Sequence, residues 1–200
     1  MRPGDEEVEM TGFGLGLGTR YPRRLLERPH WFALRARARH EKKLVRQLER
    51  GGIRVFGALA RVERSWSDRT KGVEMPLFPG YVFVHTTLRD PASVLRWPGA
   101  VDFVRSRGVP HPVRADEMEA VMTLAQGVTA EGKLPTEEDY LTPGTAVVVT
   151  EGPFSGLTGV LHEHRGRRRV VVKLDSLRQA RGVSVPAAQV RRAQPLPRTG

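Results

Sequence analysis

"EMPLFPGYVFVH" (Glu74–His85) carries two apolar faces in one strand. Side chains alternate along a strand, so Val82 and Val84 share one face while Tyr81 and Phe83 share the other. A small domain fills one core. Either both faces are covered and the rings are core, or the ring-bearing face is kept for a partner. Pro79-Gly80 just before it has the chemistry of a turn into the strand.

Upstream, "HWFALRARARHEKKLVRQLERGG" (His30–Gly52) begins with the same alternation. Phe32, Leu34, Ala36 and Ala38 fall on one side, and Trp31, Ala33, Arg35, Arg37 and Arg39 on the other. The period then lengthens. Leu44, Val45 and Leu48 form a helical apolar stripe, ended by Gly51-Gly52. "IRVFGALARVERSW" (Ile53–Trp66) reads as extended, and "SDRTKG" (Ser67–Gly72) as a basic hairpin tip. Downstream lie a short helix or turn in "DPASVLRWPGA", a strand in "AVDFVRS", and a helix over 114–127 with Met118, Val121, Met122 and Ala125 on one face. The fold class is α+β, an antiparallel sheet flanked by helices.

Residues 1–29 read as a disordered extension, with "RYPRRLLERP" (Arg20–Pro29) a solvated tail. "GFGLGLG" lacks the G-x-G-x-x-G spacing of a dinucleotide loop. Order is expected from 30 to 127. The polar, acidic "VTAEGKLPTEEDYL" (Val128–Leu141) reads as a linker. Residues 142–193 are β-branched runs broken by glycine turns, the pattern of a small all-β barrel. Residues 194–200 read as a tail.

The 200 residues hold 33 Lys and Arg against 22 Asp and Glu, a net charge of +11, and no cysteine. The excess points to a polyanionic partner. The missing thiols exclude disulfides and cysteine-based metal centres. The start, "MRPGDEEVEM", has no apolar core segment and is not expected to be a signal peptide. No apolar run reaches the roughly 20 residues of a membrane span. A cytoplasmic monomer is expected. Catalysis finds no support: His162 and His164 alternate on a strand without a third ligand, Ser155 lacks the G-x-S-x-G frame, and no phosphate loop exists. No cofactor or metal is expected, and the chain reads as not an enzyme.

"WFALR", "PLFPGYVFV", "GAVDFVR" and, beyond the linker, "GTAVVVTEGPFSGLTGV" together resemble the NusG family of transcription elongation factors, over residues 30–193. The first region resembles its NGN domain and the second its KOW domain. "PLFPGYVFV" and "VVVKLDSL" are similar to specialised paralogues of the RfaH type. The resemblance implies that the NGN domain sits on the clamp helices of the largest RNA polymerase subunit and suppresses pausing or termination. It implies that the KOW domain recruits a small-subunit ribosomal protein, the termination factor Rho, or both.

Tyr81 and Phe83 are then the expected polymerase contacts, with Trp31, Phe78, Phe103 and Arg35 around them; Phe78 and Phe103 fit a core equally. Arg37, Arg39, Lys42 and Lys43, with Arg69 and Lys71 on the hairpin, are expected to meet upstream or non-template DNA through phosphates. A solvated amphipathic helix is the competing reading of that charge. In "EGPFSGLTG", Phe154 is expected at a loop tip as a docking aromatic shaped by Gly156, with Leu174 and Leu177 beside it; a loop residue folding back onto the barrel is the competing reading. The alternative is an RNA- or ribosome-binding KOW protein that does not touch polymerase. "VVVKL" favours strand strongly, so the KOW region is expected to stand as strands rather than refold into helices.

Overall fold

A computed structural model describes residues 8–10, 20–65, 70–138, 144–164 and 167–193. In chain order the elements are β1 (Val8–Met10), β2 (Arg20–Pro22), α1 (Arg23–Glu27), β3 (His30–Ala36), α2 (Glu41–Arg50), β4 (Arg54–Phe56), β5 (Leu59–Ser65), β6 (Thr70–Pro76) and β7 (Tyr81–Thr86). There follow α3 (Ala92–Leu95), β8 (Ala100–Phe103), β9 (Arg105–Ser106), β10 (Val109–Pro110), β11 (Pro112–Val113), α4 (Ala115–Glu131) and β12 (Thr136–Glu138). The chain closes with β13 (Thr145–Val149), β14 (Thr158–His164), β15 (Arg167–Leu174), β16 (Gln179–Ser184), a 3-10 turn at Ala187–Gln189 and β17 (Val190–Arg192). These form two compact units, one of residues 1–57 with 79–113, the other of residues 58–78 with 114–200.

The first unit is built on an antiparallel sheet ordered β11-β3-β7-β4, with β8 also pairing β3. Register places Phe32 opposite Val84 and Leu34 opposite Val82. These four join Leu44, Val45 and Leu48 of α2 and Val94 of α3 in one core. The helical stripe of α2 is therefore met by the valine face of β7, as its period requires. Glu41, in the first turn of α2 and 6 % exposed, accepts a hydrogen bond from the Gly80 N–H at 2.7 Å. One buried carboxylate thus ties the helix start to the turn that aims β7.

The expected disordered extension is corrected in its second half. Tyr21, Leu25 and Leu26 are buried in this same core, and the Leu88 N–H donates to the Leu25 carbonyl at 2.7 Å. Two adjacent leucines on one helical turn have enough apolar area to anchor a segment whose flanking arginines had suggested a solvated tail. Residues 1–7, 11–19 and 194–200, including the glycine-alternating stretch, lie outside the described residues.

The second unit contains the hairpin β5–β6, α4 and a six-stranded antiparallel sheet ordered β12-β16-β15-β14-β13-β17. The region expected to stand as strands, residues 142–193, is strand throughout its described elements apart from one 3-10 turn. Val170, Val171 and Val172 are all buried, so both faces of β15 are covered. Helix α4 contacts β15 and β5.

Two boundaries differ from expectation. Helix α4 does not stop at Gly127 but runs to Glu131 and ends on Gly132 at φ +72. The expected linker is partly structured: Thr136–Glu138 add an edge strand to β16. Glu138 secures that strand by accepting from Arg169 at 2.6 Å and from Thr136 Oγ1 at 2.6 Å. Partial burial pushes its carboxyl up. The hydrogen bonds from Thr136 and Arg169, with the charges of Arg169 and His162, outweigh that and leave it below the usual range. Among the described residues, no helix is long and apolar enough to cross a membrane.

Candidate functional site

The valine face of β7 is spent on the helices. Its opposite face is a three-row array across the sheet. At one end Trp31 of β3, His85 of β7 and Arg54 of β4 lie in register. The Trp31 and His85 rings are 5.0 Å apart, and the Arg54 guanidinium stands 5.4 Å from the Trp31 ring centre. Partial burial lowers the His85 pKa, helped by the positive charges of Arg54 and His30. The middle row is Ala33, Phe83 and Phe56. The far row is Asp102, Arg35 and Tyr81.

Exposure is graded along this array. Arg35 and Arg54 are exposed, Trp31, Tyr81, His85 and Phe56 are half-buried, and Ala33 and Phe83 are fully buried. The ring-bearing face therefore exists, but its centre is not the open ledge expected of it. Alternation fixes which side a ring takes; it does not fix what covers that side. At the far end Asp102 receives two hydrogen bonds from Arg105, both at 3.0 Å. Burial pushes the Asp102 carboxyl up, and the Arg105 bonds overcome it, so its pKa is lowered.

Two residues that fitted contact and core equally are core. Phe103 pairs with Leu34 on the helix side, and its ring meets Phe32 edge-on at 5.7 Å. It is core, 2 % exposed. Its strand is joined to β3 through a register shift between Arg35 and Ala36, which no local pattern announces. Phe78 is fully buried in the second unit, under the Arg181 guanidinium at 5.3 Å. Arg181, itself 8 % exposed, donates through Nε to the Leu77 carbonyl at 2.7 Å. Sequence reading overlooked Arg181, Glu117 and Glu41; the signal was a charged residue inside an apolar or turn-flanked run.

The basic residues follow the loop and helix after β3. Arg37, Arg39 and Lys43 are exposed, and Lys42 is half-buried. Arg39 adopts φ +62, a left-handed conformation uncommon for a side-chain-bearing residue. Backbone bonds from Arg37 to Gly99 and from His40 to Arg37 hold this turn. Lys71 is exposed on β6, and Arg69 lies outside the described residues.

In the β domain, the loop between β13 and β14 is a compact turn. Gly152 and Gly156 have φ of +80 and +85, and the Leu157 N–H donates to the Phe154 carbonyl at 2.9 Å. The geometry is the tight turn expected, but Phe154 is 2 % exposed rather than offered at a tip. It packs against α4 at Gly127. Leu174 is fully buried and Leu177 half-buried, at either end of a turn closed by the Leu177 N–H on the Leu174 carbonyl.

The family model described as transcription termination factor nusG matches residues 29–122. The transcription termination/antitermination protein NusG of Escherichia coli K12 is 31% identical over 138 residues, 66% of this chain and 73% of that protein. The NusG of Thermus thermophilus is 27% identical over 165 residues, 72% of this chain and 89% of its own. A solved structure of Thermotoga maritima NusG covers 84% of this chain and 98% of its own, at 24% identity and a TM-score of 0.46.

Proposed function

The chain belongs to the NusG family of transcription termination/antitermination factors, and from that premise we propose that it rides elongating RNA polymerase and suppresses pausing or termination. The observation that carries this reading is the second apolar face of the first sheet. A core is already complete on the helix side, with Phe32, Leu34, Val82 and Val84 in it. Phe83, Tyr81 and Trp31 are turned the other way. Aromatic residues grouped on one face, with arginines at the rim, have the composition of an interface hot spot. The partner for that face is the clamp-helix coiled coil of the largest polymerase subunit. Tyr81 and Trp31 are its half-buried contacts and Arg35 a polar edge; Phe83 is fully buried and backs the array rather than touching the partner.

Arg37, Arg39 and Lys43, with Lys42 beside them, take the phosphates of upstream or non-template DNA, without reading sequence. The β domain recruits a further partner, a small-subunit ribosomal protein or Rho, through the half-buried Leu177 rather than through the enclosed Phe154 and Leu174. The protein works in the cytoplasm as a non-enzymatic monomer.

Single-round transcription with purified polymerase on a pause-containing template tests the reading. Wild type is expected to shorten the pause. Tyr81→Ala is expected to weaken binding by about 2 kcal/mol, the size of an interface hot spot, or roughly 30-fold in the concentration needed. Equal pause lifetimes with wild type, Tyr81→Ala and buffer would sink it.

A further inference from the structure

The arginines at the two ends of the ring-bearing array are held in different ways. At the far end Arg105 gives Asp102 two hydrogen bonds, both at 3.0 Å, and a third to the Gly108 carbonyl at 3.1 Å. Arg35 stands opposite the same Asp102 across the β3–β8 pair. At the near end the side chain of Arg54 makes no hydrogen bond or ion pair with another described residue. What it has is the Trp31 ring. Strand β7 lies between β3 and β4, so Arg54 reaches past the His85 position to stand 5.4 Å from the centre of that ring. His85, 5.0 Å from the same ring, fills the row between them.

A guanidinium laid on an aromatic ring keeps its N–H donors free at its edge, in a planar fork. Arg54 is exposed, and in water its fork needs no partner. Covered, it does. A guanidinium taken out of water without an acceptor carries a large desolvation cost. Arg54 shares a row with Trp31, so a body seated on Trp31 covers the edge of Arg54 as well. Arg105 brings its own carboxylate to that face and Arg54 brings none. The acceptor must arrive with the partner. The fork matches the two oxygens of a carboxylate.

We propose that Arg54, laid on Trp31, is a carboxylate-reading fork that fixes the orientation of the polymerase coiled coil on the sheet. This rests on the reading of the ring-bearing face as the polymerase contact. It adds a requirement on the partner, an Asp or Glu side chain at the Arg54 end of the footprint. Tyr81 and His85 lie near the two ends of β7, about 13 Å apart at the rise of a strand. The acidic side chain therefore stands about 13 Å from the group seated on Tyr81, roughly two and a half turns along a helix. A coiled coil laid the other way round leaves Arg54 covered and unpaired, and is rejected for that reason.

Binding of the full chain to purified core RNA polymerase, without nucleic acid, tests the fork. Arg54→Ala is expected to weaken binding about tenfold, with unchanged circular dichroism. Arg54→Lys keeps the charge but loses the planar fork, and is expected to lose nearly as much. Arg54→Glu sets like charges against each other and is expected to weaken binding about a hundredfold. Trp31→Ala with Arg54→Ala is expected to be little worse than Trp31→Ala alone, because the ring holds the fork. The loss is expected to persist in high salt, as for a covered pair and unlike a rim charge. Full binding by Arg54→Lys, or a loss that vanishes in high salt, overturns the proposal. So does a loss seen only once DNA is added, which makes the ligand a phosphate. If Tyr81→Ala binds as wild type does, the reading of the face falls and the fork with it. If Tyr81→Ala weakens binding and Arg54→Ala does not, the face stands and the fork alone is refuted.

Discussion

The sheet of the first unit and the sheet of the β domain are stabilised in different ways. In the first, large side chains of β3 and β7 are buried against three helices, and Phe32, Leu34, Leu44 and Leu48 are fully enclosed. In the second, strands approach so closely that a side chain is excluded at chosen points. A methyl at Gly159 of β14 would lie 2.6 Å from the Val171 carbonyl oxygen. The first is sensitive to atoms removed, and the second, at Gly159, also to atoms added. Both units bury large apolar side chains, and the β domain adds strand approaches that a side chain would block.

The sharpest way to break that comparison is a pair of opposite substitutions. Phe32→Ala is expected to cost about 3–5 kcal/mol in denaturant unfolding, since a fully buried ring leaves a cavity. Gly159→Ala is expected to cost about 1–3 kcal/mol, the range for overpacking. If the single added methyl proves worse than the lost ring, the contrast is wrong. Next in size is Glu41→Ala in the first unit. It leaves the Gly80 N–H without its acceptor and is expected to cost about 1–3 kcal/mol, with the effect confined to the turn before β7.

Smaller effects sharpen the comparison through pH. In the β domain the Glu138 carboxyl is held below its usual range. Its contribution is therefore present above the unfolded value of about 4.3 and is lost as pH falls through the lower folded value. Glu138→Gln is expected to cost about 0.5–1 kcal/mol at neutral pH, and the difference from wild type should vanish in acid. In the first unit His85 is also depressed, with a matching consequence. Above its unfolded value of about 6.5 both states are neutral and the stability is complete. As pH falls below that, the unfolded chain takes a proton that the folded ring resists, so stability drops. The His85 ring proton signal in NMR should titrate below that of a free histidine; a midpoint at or above it would contradict the stacked, cation-flanked setting.

The elements with a clean period were legible. Helix α2 carries Leu44, Val45 and Leu48 where expected, and β7 turns Val82 and Val84 to the helices with Tyr81 and Phe83 opposite. The strand character of "VVVKL" was equally plain. Less legible were the residues whose role depends on a distant neighbour. Phe103 fitted patch and core equally and is core, its ring meeting Phe32 after a shift of register in β3. Leu25 and Leu26 looked like a tail because arginines surround them, yet two leucines suffice when a core edge is open to them.

By itself the amino-acid order determined the alternation of faces, the helical stripe, the all-β region 142–193 and the positive charge, because each is a property of neighbours a few bonds apart. Only the tertiary structure decided that Phe83 and Phe154 are buried, that Gly127 lies inside a helix against Phe154 rather than at its end, and that Thr136–Glu138 form a strand. Those outcomes depend on contacts between residues far apart in the chain, and a local pattern holds no record of what will pack against it.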